Sequence, residues 1–535
     1  MLDVVLRKGT LYDGSGKPGY VADIGVKADQ ISVIGDLGAV EAAEVVDVSG
    51  LAVSPGFIDL HTHSDFTLLA NGRAESQVHQ GVTTEVIGQC GSSCAPVRND
   101  DEIRLMAIGY VDGCHHLGWR SFGEYLDALE GTALGVNVVA FVGHGAVHRA
   151  VLGDALRAGS PEEIDEMARL IAEAIDQGAG GFSTGLEYWP GILAAPQDLV
   201  PLCKAVAERN VLYSTHVRNR DSHYDLGFGE ALATARLSGA RLQISHIQPK
   251  FGAPSYAMEH TLEMIEAARR RDVNVAFDVI PHDWNHTHVV AILPQWAREG
   301  GTRAMVERLK DPDIRARIKN NPKPMWLLVR ARRWSDIILL DAQVNRNLVG
   351  ATFEEIGKIR GVDPYDAVFD LLIEEENNMP RLLWTSHSFR EDDIDLCLKQ
   401  QECAVISDTT ALAPYGALKD NIGSLSGYGW AARFLQRYVH DRAVLSLPDA
   451  IRRLTSLPAE RVRIRDRGLL RPGYRADVTV FDPNSIASNC SVTKPREYAT
   501  GVAHVLVNGE FSMRDGRRTS VDAGRVLRDF GRCAK

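Results

Sequence analysis

Between residues 51 and 407 the chain repeats one pattern: a short apolar run, a stretch with helical spacing, then another apolar run. The runs fall at 51–58, 83–88, 137–142, 180–183, 211–215, 241–245, 274–279 and 404–407, with helical stretches such as 161–175 and 255–271 between them. Strands joined by helices pair in parallel, because a tight hairpin can join only antiparallel strands. Eight such units close a barrel, so the spacing predicts an α/β fold of the (β/α)8 TIM type over 54–469. The gap between the seventh and eighth runs is too long for one crossover helix. It predicts an inserted subdomain at about 280–402, a place for a lid.

The two ends of the chain follow another pattern. Residues 3–6, 23–27, 30–34 and 45–48 are strand-like, with turns at Asp13-Gly14-Ser15-Gly16 and Gly35-Asp36. The style resumes at 477–481 and 504–507, before the turn Asn508-Gly509. Residues 1–53 and 470–535 are expected to pair into one small β-sandwich domain.

A chain of 535 residues can hold a large barrel and an appendage. Its 59 basic and 70 acidic residues leave a net charge of −11, which argues against nucleic acid or an anionic membrane as partner. No basic start is followed by a long apolar run, and no apolar stretch reaches membrane-spanning length. The eight cysteines (Cys90, Cys94, Cys114, Cys203, Cys397, Cys403, Cys490, Cys533) are scattered rather than arranged as a disulfide framework. A cytoplasmic location is expected, and a homo-oligomer is compatible with the chain.

A TIM-type barrel presents its reactive side chains at the C-terminal ends of the strands. The first run ends in His61-Thr62-His63, and residues two apart on a strand share a face, so two imidazoles lie side by side. Such a pair can bind one metal ion. The second run leads into Gln89-Cys90-Gly91, the third into Gly143-His144-Gly145 and the fourth into Ser183-Thr184-Gly185. The fifth ends in His216, the sixth in His246 and the eighth in Ser407-Asp408. Any one of these reads as core filler or a structural histidine. Taken together, two histidines on one strand, two more at later strand ends and an aspartate on the last point to a metal centre. His79, His115, His116, His148 and His440 lie off the strand ends.

These stretches resemble the amidohydrolase superfamily and, within it, the N-acyl-D-amino-acid deacylase (D-aminoacylase) family. The resemblance rests on 54–63 with Asp65 after it, Gln80-Gly81-Val82-Thr83-Thr84, Gly88-Gln89-Cys90-Gly91, Val142-Gly143-His144-Gly145 and Phe182-Ser183-Thr184-Gly185-Leu186-Glu187-Tyr188. Ser214-Thr215-His216, Ile244-Ser245-His246, Ser407-Asp408 and the tail 470–483, with Pro472-Gly473-Tyr474-Arg475-Ala476-Asp477, complete it. Many amidohydrolases bridge two metals with a carboxylated lysine on the fourth strand, but Ser183-Thr184 stand there in this chain. The resemblance implies instead a cysteine thiolate as zinc ligand, a donor that favours zinc over magnesium or calcium. It implies a tight Zn2+ at Cys90, His216 and His246, and a second, weaker position towards His61, His63 and Asp408.

The implied activity is hydrolysis of a linear amide by activated water, on an N-acyl amino acid or a related N-acyl or aryl amide. Asp408 is expected to serve as general base and acid, and His144 to stabilise the oxyanion. Tyr188, Lys250 and Ser183 are expected at the substrate. Relatives acting on D-amino acids typically carry Asp-Gly on the last strand with an arginine soon after. Here Asp408-Thr409-Thr410 follows, and the first arginine is Arg433. Lys419, Arg330, Arg332 and Arg333 are other candidates for holding a carboxylate. Trp284, Trp326 and Trp334 could line a pocket for an aromatic amide. Two further readings stay open: a cyclic amide or imide hydrolase or deaminase on the same barrel, and a non-catalytic scaffold.

Overall fold

Eight parallel strands pair in strict chain order: Phe57–Asp59, Val82–Ile87, Asn137–Gly143, Gly181–Gly185, Leu212–His216, Arg241–Ile244, Val275–Val279 and Cys403–Val405. The computed structural model describes residues 1–38, 40–153, 155 and 157–530; Cys533 and the end of the expected 470–535 unit lie outside the described residues. All residues of the eight strands are buried except Arg241, which is partly so, as a parallel sheet covered on both faces requires. The two edge strands meet just beyond their ends, through a parallel bridge between Thr62 and Thr409.

The intervening helices bury one face. Pro161–Asp176 begins with Ser160, whose hydroxyl accepts from the Glu163 amide while the Glu163 carboxylate accepts from the Ser160 amide; Pro161 occupies the first turn. Ile164, Met167, Ile171, Ala174 and Ile175 then form its buried stripe at helical spacing.

Strands from both chain ends form one nine-stranded sheet, eight of them in a single hydrogen-bonded path and the ninth, Ala42–Asp47, paired beside Leu2–Leu11. Its centre is the antiparallel pair Ala52–Pro55 and Val478–Phe481, which ties the N-terminal strands to the C-terminal ones. The apolar run at 51–58 is therefore not one barrel strand. Ala52–Pro55 belongs to the terminal sheet and Phe57–Asp59 to the barrel. Gly56 makes the crossing where nothing larger fits, since a Cβ there would lie 2.1 Å from the Thr83 Oγ1.

Between barrel strands seven and eight, Trp284–His288, Leu383–His387 and Ile337–Asp341 form a separate antiparallel sheet. Helix Glu391–Leu398 follows it and packs against Ala257–Arg269 in the barrel's outer ring. The sheet-bearing insertion thus ends before this helix, inside the 280–402 bounds. The seven described cysteines are free. Among the described residues, no helix is long and apolar enough to cross a membrane.

Candidate metal centre

The C-terminal ends of strands one, two, six and eight bring donor atoms of His61, Cys90, His246 and Asp408 within 4.8 Å of one another, with His216 beside Cys90 and His63 beside Asp408. Three of these residues hold a left-handed backbone: Cys90 (φ 51°), His246 (φ 33°) and Asp408 (φ 51°). Each such conformation costs about 1–3 kcal/mol and persists only where the surroundings impose it. The hydrogen bonds that impose it are visible. Ser183 Oγ donates to the Gly88 carbonyl at 2.5 Å and accepts from the Gly91 amide at 3.0 Å, so it grips the chain on both sides of Cys90. Gly88 (φ 79°) permits this approach, because a Cβ would sit 2.0 Å from the Phe141 carbonyl oxygen. The His246 amide donates to Asp278 at 2.6 Å, and Arg220 donates to the His246 carbonyl. Asp59 Oδ1 accepts from the His61 amide at 3.3 Å and the Ser407 amide at 3.1 Å, tying the first strand to the last.

The donor atoms are crowded. Cys90 Sγ lies 3.3 Å from His61 Nε2, 3.4 Å from His246 Nε2 and 3.7 Å from His216 Nδ1. His216 Nδ1 and His246 Nε2 are 3.0 Å apart. Asp408 Oδ1 is 3.1 Å from His63 Nε2 and 3.4 Å from His61 Nε2. Neighbouring donors around a tetrahedral zinc ion lie roughly 3.3–3.7 Å apart, given its bond lengths to nitrogen and sulfur. The sulfur is central, with imidazoles on both sides of it.

Protonation suits the same reading. Burial pushes His61 down to about 3 and His216 to about 4, so both rings are neutral near pH 7 and keep a free lone pair. Burial raises the Cys90 thiol well above its ordinary range, and Asp408 adds to the rise. A thiol in that position needs a cation beside it to ionise. Burial alone would raise Asp408, but His246, His63 and His61 hold it well below the usual carboxylate range. The residues present fit zinc.

Behind His216 lies a second contact. Its Nε2 is 2.8 Å from Glu187 Oε2, and the Glu187 carboxylate is bound by Lys250 Nζ at 2.6 and 2.8 Å. Burial opposes the charge on Glu187, yet Lys250 and His216 hold its carboxyl down to about 2.

A cavity of about 390 Å³ opens over the centre, with His63, Cys90 and Asp408 in its lining. Tyr188 lines it too, its ring 4.6 Å from that of His216. The expected ligands His61, His216 and His246 lie beneath this lining, and the expected catalytic and substrate residues Ser183, Lys250 and His144 lie outside it. Ser183 is spent on the Cys90 loop and Lys250 on Glu187. His144 is buried at the start of helix His144–Leu152, its ring 5.9 Å from His148. Arg330, Arg332, Arg333 and Lys419 are exposed and also outside the lining. Trp326 packs on Trp384 and Trp334 on Tyr365 within the insertion, while Trp284 lies against His387.

Other residues take their places. The insertion contributes one wall through His286, His288, Asp341 and Arg381, and Arg149 stands elsewhere in the lining, 4.0 Å over the Trp189 ring. Nothing at barrel strand ends points to these side chains. The alternation His286-Thr287-His288 does repeat that of His61-Thr62-His63, and it is the one signal that marks them in the sequence.

A cysteine, four histidines and an aspartate at the mouth of a parallel barrel define a metal-dependent hydrolase. Residues 44–513 match the amidohydrolase family. The chain belongs to that family, in its D-aminoacylase branch. It is 32% identical over 529 residues to the D-aminoacylase of Alcaligenes xylosoxydans xylosoxydans, covering 98% of this chain and 97% of that one. The solved N-acyl-D-glutamate deacylase of Bordetella bronchiseptica, complexed with zinc and a phosphonate mimic of the tetrahedral intermediate, superposes with a TM-score of 0.82. That match has 28% identity over 99% of this chain and 100% of that one. A D-aminoacylase structure described by one-metal activation and second-metal attenuation matches with a TM-score of 0.81, at 28% identity and the same coverage.

Proposed function

We propose that this enzyme hydrolyses the linear amide of an N-acyl amino acid or a closely related N-acyl amide, with zinc as its metal. The observation that carries the reading is the position of Cys90 Sγ, within 3.7 Å of three imidazole nitrogens and at the floor of the cavity. Cys90, His216 and His246 would hold the tight ion, and His61, His63 and Asp408 a weaker one. Bound there, the metal supplies Lewis acidity to the scissile carbonyl and acidifies water.

The chain's own groups do the rest. Asp408 is ionised and faces the cavity, so it accepts the proton of the attacking water and returns it to the leaving nitrogen. Tyr188 keeps its phenolic proton, because burial raises it well above its ordinary range, and it donates to the developing oxyanion. That task falls to Tyr188 because His144 lies outside the lining. A substrate carboxylate would meet Arg381 and His286 from the insertion, and Arg149 elsewhere in the lining. These groups stand where the loop after Asp408 offers no arginine. The free cysteines support a reducing, cytoplasmic setting.

A panel of N-acyl-D-amino acids, N-acyl-L-amino acids, aryl amides and cyclic imides, offered to zinc-loaded enzyme, tests this. Turnover of linear N-acyl substrates is expected. Exclusive turnover of the cyclic imides would refute it.

A further inference from the structure

Glu187 follows the fourth barrel strand and Lys250 follows His246 on the sixth, and both side chains are buried. The Lys250 ammonium reaches both Glu187 carboxylate oxygens, at 2.6 and 2.8 Å, and lies 4.7 Å from the centroid of the Trp326 ring. Glu187 Oε2 is also 2.8 Å from His216 Nε2. The other nitrogen of that ring, Nδ1, is the one turned to His246 Nε2 at 3.0 Å and Cys90 Sγ at 3.7 Å.

A carboxylate can only accept from the ring, so the His216 proton sits on Nε2 and Nδ1 is left bare. A carboxylate behind a metal-binding imidazole fixes the tautomer, orients the ring and makes its free nitrogen a stronger donor. A buried carboxylate also needs a counter-charge, which Lys250 provides at contact distance. We propose that Glu187 and Lys250 are positioning residues for the tight metal: Glu187 sets the tautomer and direction of His216, and Lys250 supports Glu187. This inference rests on the assignment of the tight ion to Cys90, His216 and His246. It makes Lys250 part of the metal centre's frame rather than a grip on substrate.

The test is a titration of metal-free protein with Zn2+ against a chromophoric chelator, with the thermal midpoint of the metal-free protein measured in parallel. Wild type is compared with the double variant Glu187→Gln/Lys250→Met, which removes both buried charges together, and with Glu187→Asp, which keeps the lysine pair but withdraws from His216. Zinc affinity is expected to fall about 10- to 100-fold in the double variant, with a smaller loss in Glu187→Asp, while the metal-free midpoint of each stays near that of wild type. Zinc affinities within twofold of wild type in both variants would overturn the proposal. So would failure of both metal-free variants to fold, since the pair would then serve stability alone. If wild type itself takes up no zinc, the metal assignment fails instead.

Discussion

The Asp408 amide donates to the His61 carbonyl at 3.1 Å, and the side chains of the same two residues face each other at 3.4 Å. The backbone contact closes the barrel seam, and the side-chain contact lies in the donor set. The seam and the site are therefore one piece of structure. Any change that opens the first and last strands also separates Asp408 from His61.

Asp408→Asn keeps the shape of the side chain and removes its basicity. Its kcat is expected to fall by about 10²- to 10⁴-fold while zinc at Cys90, His216 and His246 is retained. Steady-state kinetics paired with metal content on the same sample checks this; wild-type turnover would remove Asp408 as the base.

Cys90 Sγ lies within 3.7 Å of imidazole nitrogens of His61, His216 and His246. Cys90→Ser replaces a soft sulfur by a hard oxygen, so zinc content should drop together with activity, by about 10²-fold or more. Wild-type enzyme stripped by a chelator should recover with Zn2+ and not with Mg2+ or Ca2+. Recovery with Mg2+ would contradict a thiolate centre.

The insertion wall is expected to govern recognition rather than chemistry. Arg381→Ala and His286→Ala should raise KM for an N-acyl amino acid about tenfold or more with little change in kcat, the pattern of a lost uniform binding contact. KM for a neutral aryl amide should stay unchanged. Equal losses on both substrate types would mean that these residues do not read the carboxylate.

His144 makes acid stability testable. Burial, with smaller contributions from His148 and Arg218, pushes it from 6.5 down to about 3. The folded value lies below the unfolded one, so the unfolded chain binds more protons and stability rises with pH across the interval. This contribution is complete above pH 6.5 and is lost progressively as pH falls from 6.5 towards about 3. In His144→Gln the melting temperature should therefore decline less steeply between those limits. An unchanged slope would assign the acid lability to other groups.

Gly56→Ala puts a methyl against Thr83 at the crossing between sheets. Overpacking of this kind costs about 1–3 kcal/mol, so a lower melting temperature with retained zinc stoichiometry is expected. A variant as stable as wild type would mean that the crossing relaxes freely.

The barrel was legible because eight apolar runs carry their own punctuation and because a parallel barrel delivers strand ends to one rim. His61, His63, His216, His246 and Asp408 could be read from that rule, whereas Cys90 stood out as a candidate ligand only through the resemblance to the deacylases. The first run was harder: read as one apolar stretch it hides a change of sheet, which only Ser54-Pro55-Gly56 marks. Lys250 follows His246 at a suggestive distance, but its partner Glu187 is 63 residues away, and local patterning carries no trace of a buried ion pair. Helix Glu391–Leu398 has the same amphipathic character inside or outside an insertion, so the boundary had to come from packing.

Ala52–Pro55 and Phe57–Asp59 are one stretch of chain with two addresses, and His61 and His63 hang from its far end. The terminal sheet is thus no detachable module. Drift in its strands would reach the mouth of the barrel as a pull on two imidazoles, and a chimera with terminal strands borrowed from a relative would reset the footing of His61 and His63 along with its surface.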